Sequence, residues 1–135
     1  MTTIAYKDGV MAADSQTDWF YRETVDIKIQ KKHGVMVGSC GNTGDGKKFR
    51  DWILNKGDKP ELKDKFSALV VRNGRVTQYD SCLVPMRSEK YTAIGSGAAF
   101  AIAAMDCGKN AIEAVRIAKR RDISTGGRIR TIKTK

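Results

Sequence analysis

The chain has 135 residues, a formal net charge of +10, and 41% hydrophobic and 30% charged residues. That length supports a single domain over residues 1–135 with its own core, needing neither metal nor cross-link, and no apolar run approaches the ~20 residues of a membrane-spanning helix. The opening MTTIAYKDGV lacks a basic segment followed by an apolar stretch, so it predicts no signal peptide, and a cytoplasmic location is the expectation.

The cysteines, Cys40, Cys82 and Cys107, are odd in number and lack CxxC spacing, and are expected to be reduced, small core residues. His33 is the only histidine and lies in the turn-like KKHGV, which argues against a zinc site or a Cys/His dyad. The positive residues are spread along the chain and densest in the closing RIRTIKTK. No helix-turn-helix, aromatic RNA-binding motif or zinc finger accompanies them, so they read as a solvated basic face and tail, with nucleic acid the weaker reading.

In chain order, TTIAYK and VMAADSQ flank the turn Asp8-Gly9 and predict a hairpin. TVDIKIQ alternates apolar Val25, Ile27 and Ile29 with polar Asp26, Lys28 and Gln30, the pattern of a half-buried strand. A turn at His33-Gly34 leads into VMVGSCG, a strand buried on both faces. Residues 43–55 then change period: Phe49, Trp52 and Ile53 recur at helical spacing, with an end near Lys56-Gly57. KGDKPELKDK is a charged connection with room for one short turn after Pro60. FSALVVRNGRVTQYD is a hairpin about Asn73-Gly74, SCLVPM a short strand or strand end, and KYTAIGSG ends on a serine between glycines. GAAFAIAAMDCG predicts a small-residue helix, Asn110 and Glu113 form a capping box for AIEAVRIAKRRD, and RIRTIKTK supplies a last strand. Strand runs separated by helix runs predict an α+β layered domain rather than a parallel βαβ fold.

Several of these segments, in this order, resemble the proteasome β-subunit family and its bacterial ATP-dependent relative, the N-terminal-nucleophile (Ntn) hydrolases that work as threonine peptidases. They are the Met1-Thr2-Thr3-Ile4 start, VMAADSQ ending near Asp14, IKI around Lys28, GSCGNTGD, AIGSGAAFA and RRDISTGG. The resemblance implies an αββα sandwich of two mainly antiparallel sheets flanked by helices. It is a trimmed version, because Gly57 to Lys65 is too short for the family's long second helix and little follows Gly126-Gly127. It also implies a site in which Thr2, freed of Met1, carries both nucleophile and base, since an α-amine has a pKa of roughly 7.7–8.0. Lys28 would keep that amine neutral by like-charge repulsion, and Asp14 would hold Lys28. The Gly41 N–H would be the oxyanion donor. Ser96, Asp122 and Thr125, the last standing where serine is common, would support the amine. Thr2, Lys28 and Gly41 should meet at one end of the sandwich.

Each residue taken alone has a plainer reading. Asp14 suits a turn, Lys28 a solvent-facing strand position, Ser96 a helix cap, and Gly126-Gly127 a chain stop. Asp122 sits near a helix end where its charge opposes the dipole, which points to a specific partner. The implied reaction is amide hydrolysis of peptides or unfolded proteins, without metal or organic cofactor. The implied assembly is a homo-oligomer, ring-like as in the family, with an ATPase partner. The helix from Gly97 and the helix carrying Phe49 and Trp52 are its candidate contact surfaces. The alternative is an Ntn-fold protein without peptidase activity, serving in assembly, inhibition or nucleic-acid binding.

Overall fold

The computed structural model describes residues 2–18, 22–23 and 28–134. Strands β1 (Thr3–Lys7) and β2 (Val10–Ala13) form the first hairpin, with Ile4 opposite Ala13. Its turn puts Asp8 and Gly9 at φ +49° and +80°. His33-Gly34 and Asn73-Gly74 adopt the same paired left-handed conformation, the two-residue turn whose twist matches that of the strands it joins. After the two-residue strands β3 (Thr17–Asp18) and β4 (Arg22–Glu23) come β5 (Ile29–Lys32) and β6 (Val35–Gly41). Thr24, Val25, Asp26 and Ile27 of the predicted TVDIKIQ strand lie outside the described residues, and the observed strand begins at Ile29.

Helix α1 (Thr43–Leu54) follows, capped by Asn42, whose Oδ1 accepts from the N–H groups of Gly44 (2.8 Å) and Asp45 (3.3 Å). Next are β7 (Phe66–Arg72), β8 (Arg75–Asp80), β9 (Met86–Arg87) and β10 (Thr92–Gly95). Helices α2 (Ala98–Asp106) and α3 (Ala111–Arg121) precede the closing strand β11 (Arg130–Lys133). The Asn110–Glu113 capping box of α3 has both of its bonds.

The strands form a four-stranded sheet ordered β10-β1-β2-β11 and a five-stranded sheet ordered β5-β6-β7-β8-β9, all neighbours antiparallel. Alternation along the strands explains the layering. Ile4, Tyr6, Met11, Met36, Leu69, Val71 and Ile94 fill the space between the sheets. On the other face of the first sheet, Ala5, Ala12 and Ala93 meet Ala101, Met105, Ala111, Ala114, Val115 and Ala118 of α2 and α3. Small side chains on both sides let that helix pair lie close. The outer face of the second sheet, with Val37, Phe66, Ala68, Val70 and Tyr79, packs on Phe49 and Leu54 of α1. The result is the expected αββα sandwich.

Local expectations fail at several places. Residues 56–65 contain no helical turn, and Leu62 instead packs against the α1 cluster. SCLVPM yields only Met86–Arg87 as strand, because Leu83, at φ +58°, turns inward and is buried. All three cysteines are free, but Cys82 and Cys107 are exposed and only Cys40 is partly buried, so they are not core residues. Phe49 is fully buried, edge-on to Tyr79 and tilted against Phe66. Its apolar area is satisfied within the chain.

Candidate active site

The register of the first sheet decides what surrounds Thr2. Because β1 pairs with β10 (Thr3 opposite Gly95) and with β2 (Ile4 opposite Ala13), the residues following β2 and β10 flank the start of β1. Those residues are Asp14 and Ser96.

Asp14 is buried. Its Oδ1 accepts from the Thr3 N–H (3.0 Å) and from Lys28 Nζ (3.1 Å). Its Oδ2 accepts from the Gly126 N–H (3.0 Å) and, at longer range, the Gln16 N–H (3.4 Å). A buried carboxylate is tolerable only when its lost hydration is replaced in this way. Lys28 is equally buried and also donates to the Gln16 carbonyl, while its own carbonyl accepts from the Ser39 N–H of β6 (3.1 Å). The alternation that made Lys28 look solvent-facing is overruled by this inward pairing.

The second cluster lies on the other side of the strand. Asp122 caps the C-terminus of α3. Its Oδ2 accepts from Ser96 Oγ (2.5 Å) and Thr125 Oγ1 (2.6 Å), and its Oδ1 from the Ser124 N–H (3.2 Å). Burial pushes this carboxyl up, but the hydrogen bonds from Ser96, Thr125 and Ser124 outweigh it and hold the group below the usual carboxylate range. These donors are the specific partners that its position at the helix end called for.

Proton counting orders the network further. The one hydroxyl proton of Thr125 goes to Asp122, so at the 2.7 Å contact between Thr125 and Thr3 hydroxyls it is Thr3 that donates. Ser96 Oγ, committed to Asp122, lies 3.4 Å from the Thr2 carbonyl oxygen, a weak contact. Gly97 permits this closeness, because a Cβ there would lie 2.0 Å from Thr3 Oγ1.

Among the described residues, Thr2 lies in the walls of two cavities. The one toward α1, of about 10 Å³, has Thr2, Lys28, Ser39, Gly41, Gly46 and Arg50 in its wall. The one toward β7 and β10, of about 270 Å³, includes Thr2, Cys40, Gly41, Lys65 and Ser96. Gly41 belongs to both. At φ +128°, with Lys65 O 2.7 Å from where a Cβ would sit, it admits no side chain. Burial pushes the Cys40 thiol up, against smaller lowering effects from Ser67 and Lys28.

The structure thus gathers every residue singled out in the sequence: Thr2, Asp14, Lys28 and Gly41 on one side, Ser96, Asp122 and Thr125 on the other. Sequence reasoning missed Thr3, Cys40, Arg50 and the Gly126 N–H. Of these, Thr3, Cys40 and Gly126 stand inside motifs already quoted from the sequence, whereas nothing along the chain distinguishes Arg50. Among the described residues no group of three or more His, Cys, Asp or Glu side chains is placed to hold a metal, and no helix is long and apolar enough to cross a membrane.

No family model and no curated protein matches the chain. Solved structures do. Thiobacillus denitrificans BPH is 17% identical with a TM-score of 0.74, the match covering 97% of this chain and 95% of that one. The same protein in complex with epoxomicin is 18% identical, with a TM-score of 0.74 and coverage of 97% and 96%. Eukaryotic HslV from Trypanosoma brucei is 20% identical, with a TM-score of 0.75 and coverage of 97% of each chain. At such identities the likeness is one of fold, and over nearly its whole length this chain has the proteasome β-subunit and HslV-like Ntn fold.

Proposed function

We propose that the chain, a single catalytic domain over residues 1–135, is a threonine-type N-terminal-nucleophile peptidase that becomes active when Met1 is removed. The observation that carries this reading is the convergence on Thr2 of a buried Lys28–Asp14 pair, the Gly41 backbone and the Ser96–Asp122–Thr125 cluster. The freed Thr2 α-amine takes the proton of Thr2 Oγ, and the oxygen attacks the scissile carbonyl. The Gly41 N–H donates to the developing oxyanion. Collapse breaks the C–N bond, with the amine returning its proton to the leaving nitrogen and an ester left on Thr2. Water, deprotonated by the same amine, then hydrolyses the ester. Lys28 disfavours a second positive charge on the amine, and Asp14 holds Lys28 at that task. Asp122, acting through Ser96 and Thr125, positions the start of β1. No step uses a metal or organic cofactor.

In this reading the substrates are peptides or unfolded segments, the enzyme is cytoplasmic and homo-oligomeric, and an unfolding ATPase supplies folded substrates. The exposed face of α2, where Phe100 is 41% exposed, is the surface we assign to self-association.

The test is hydrolysis of fluorogenic peptides by protein whose N-terminal mass shows Thr2 at the terminus. Thr2→Ala should lose nearly all turnover while remaining folded, Thr2→Ser should retain part, and a chain with residues fused ahead of Thr2 should be inert. Because BPH has been solved in complex with epoxomicin, that compound is a second probe, expected to bind the Thr2-terminated protein and not Thr2→Ala. Equal rates in Thr2→Ala and the processed protein would overturn the mechanism. Inactivity of verified Thr2-terminated protein across a broad peptide panel would favour an Ntn-fold protein without peptidase activity.

A further inference from the structure

We propose that the cavity on the α1 side of Thr2 selects substrates with an acidic side chain, Asp or Glu, on the residue whose carbonyl is attacked, and that Arg50 is the residue that reads it. This inference rests on the threonine-peptidase reading above and adds a substrate class to it.

The geometry begins at Gly46. It is buried on α1 facing β6, and a Cβ there would lie 2.8 Å from Ser39 Oγ and 3.3 Å from Arg50 Nη1. Any side chain at position 46 would therefore close the slot. Its absence lets the Arg50 guanidinium, one turn further on the same helix face, reach the wall that also carries Thr2 and Gly41. The side chain nearest to a carbonyl held between the Thr2 nucleophile and the Gly41 donor is that of the attacked residue itself, and this cavity is the space that receives it.

The charges of the wall are unbalanced. Among the described residues its cations are Lys28 and Arg50, and no Asp or Glu lines it. Lys28 is matched by Asp14 at 3.1 Å. Arg50 makes no ion pair or hydrogen bond among the described residues. The neighbouring Asp51 carboxylate accepts from the Asn55 side chain instead (3.0 Å), and Asp45, in the first turn of α1, does not line the cavity. Among the described residues, the cavity toward β7 and β10 adds Lys65 and likewise no acid.

A half-buried guanidinium without a partner is satisfied by a carboxylate, which it can engage through two parallel N–H bonds. A basic substrate side chain would be repelled, and an apolar one would cover the guanidinium without satisfying it. Size acts in the same direction. At about 10 Å³ the closed cavity holds roughly one water, so a substrate side chain enters only as Arg50 turns outward. A carboxylate compensates that movement by keeping the guanidinium bonded, whereas leucine or phenylalanine does not.

The experiment compares kcat/KM of Thr2-terminated protein on peptides that differ only in the residue before the scissile bond: Asp, Glu, Asn, Leu and Lys. Asp and Glu should exceed Asn and Leu by about tenfold or more, the scale of one charge-assisted contact. Arg50→Gln should lower kcat/KM on the Asp and Glu peptides to that on Asn, and Arg50→Glu should shift preference toward Lys. A second arm reads binding without chemistry: calorimetry of Thr2→Ala with acetylated peptide amides ending in Asp or Asn, with and without Arg50→Gln. Asp-selective binding that disappears with Arg50→Gln supports the proposal even if no peptide is cut, in which case the peptidase reading alone fails. Cleavage and binding indifferent to Asp against Asn, or a preference unchanged in Arg50→Gln, overturn the proposal and leave the peptidase reading standing.

Discussion

Asp14 holds both sides of the candidate site together, because its oxygens reach Lys28, the Thr3 backbone and the Gly126 backbone at once. The consequences of removing either partner of the ion pair therefore differ. Asp14→Asn removes the carboxylate that pairs with the buried Lys28 ammonium and should cost about 3–5 kcal/mol in urea unfolding. Lys28→Met removes the cation but leaves Asp14 its backbone donors, so its stability loss should be smaller, about 1–3 kcal/mol, while turnover on peptides should fall severely. Equal stability losses would mean that the backbone donors to Asp14 contribute nothing. Asp122 gives a pH signature. Its carboxyl is held below the usual range in the folded chain, so its contribution is present above the unfolded-state pKa, near 3.8, and is lost as pH falls through the lower folded value. Urea midpoints should show wild type more stable than Asp122→Asn at pH 6, with the gap closing as pH drops from about 4 toward 2. A gap independent of pH would show that the Ser96 and Thr125 contacts do not favour the ionised form.

At the scale of elements, packing on the two faces of the first sheet sets different tolerances. The face toward α2 and α3 carries fully buried Ala5 and Ala12 against Ala111, Ala114 and Ala118, leaving no room for longer side chains. Ala12→Leu should destabilise by about 1–3 kcal/mol through overpacking. On the inter-sheet face, Ile4→Ala leaves a cavity and should cost about 2–5 kcal/mol. Thermal or urea unfolding of the two variants checks both. At the start of α3, Asn110→Ala removes the side-chain oxygen that accepts from the Glu113 N–H (2.8 Å) and should cost about 1 kcal/mol. Because α3 ends at Asp122, fraying of this helix should lower activity more than a matched loss of stability in α1. Paired measurements of turnover and unfolding on cap variants of α1 and α3 would show it.

For the molecule as a whole, net charge and self-association oppose each other. At +10, copies repel at low ionic strength, and salt relieves that repulsion. If α2 is the contact surface, the mass measured by light scattering should rise with protein concentration and between about 0.05 and 0.5 M NaCl, and Phe100→Asp should abolish the rise. A monomer at tens of micromolar under all these conditions would refute self-association. Duplex DNA bound selectively by sequence would instead point the basic surface toward nucleic acid.

The αββα architecture was legible in the chain because its determinants are local. Asp8-Gly9, His33-Gly34 and Asn73-Gly74 specify tight turns through backbone conformation, the Asn110–Glu113 box specifies a helix start, and apolar periodicity separates α1 from the strands around it. The candidate site was legible as a set of residues, Thr2, Asp14, Lys28, Gly41, Ser96, Asp122 and Thr125, through motif order along the chain. Their relations were not legible, because these depend on strand register and on pairing between segments far apart in sequence. Alternation placed Lys28 in solvent, and its contacts with Asp14 and the Gln16 carbonyl draw it inside. Cysteine count and spacing placed Cys82 and Cys107 inside, and SCLVPM placed Leu83 in a strand or strand end; instead Leu83 turns inward at positive φ and both cysteines are exposed. Arg50 was one basic residue among 25. It became distinct only when packing of α1 on β6 set Gly46 against Ser39 and left the guanidinium in the wall beside Thr2. Turn and helix signals act over a few bonds and can be read along the chain, whereas burial of a charge is decided by which distant group the fold brings to it.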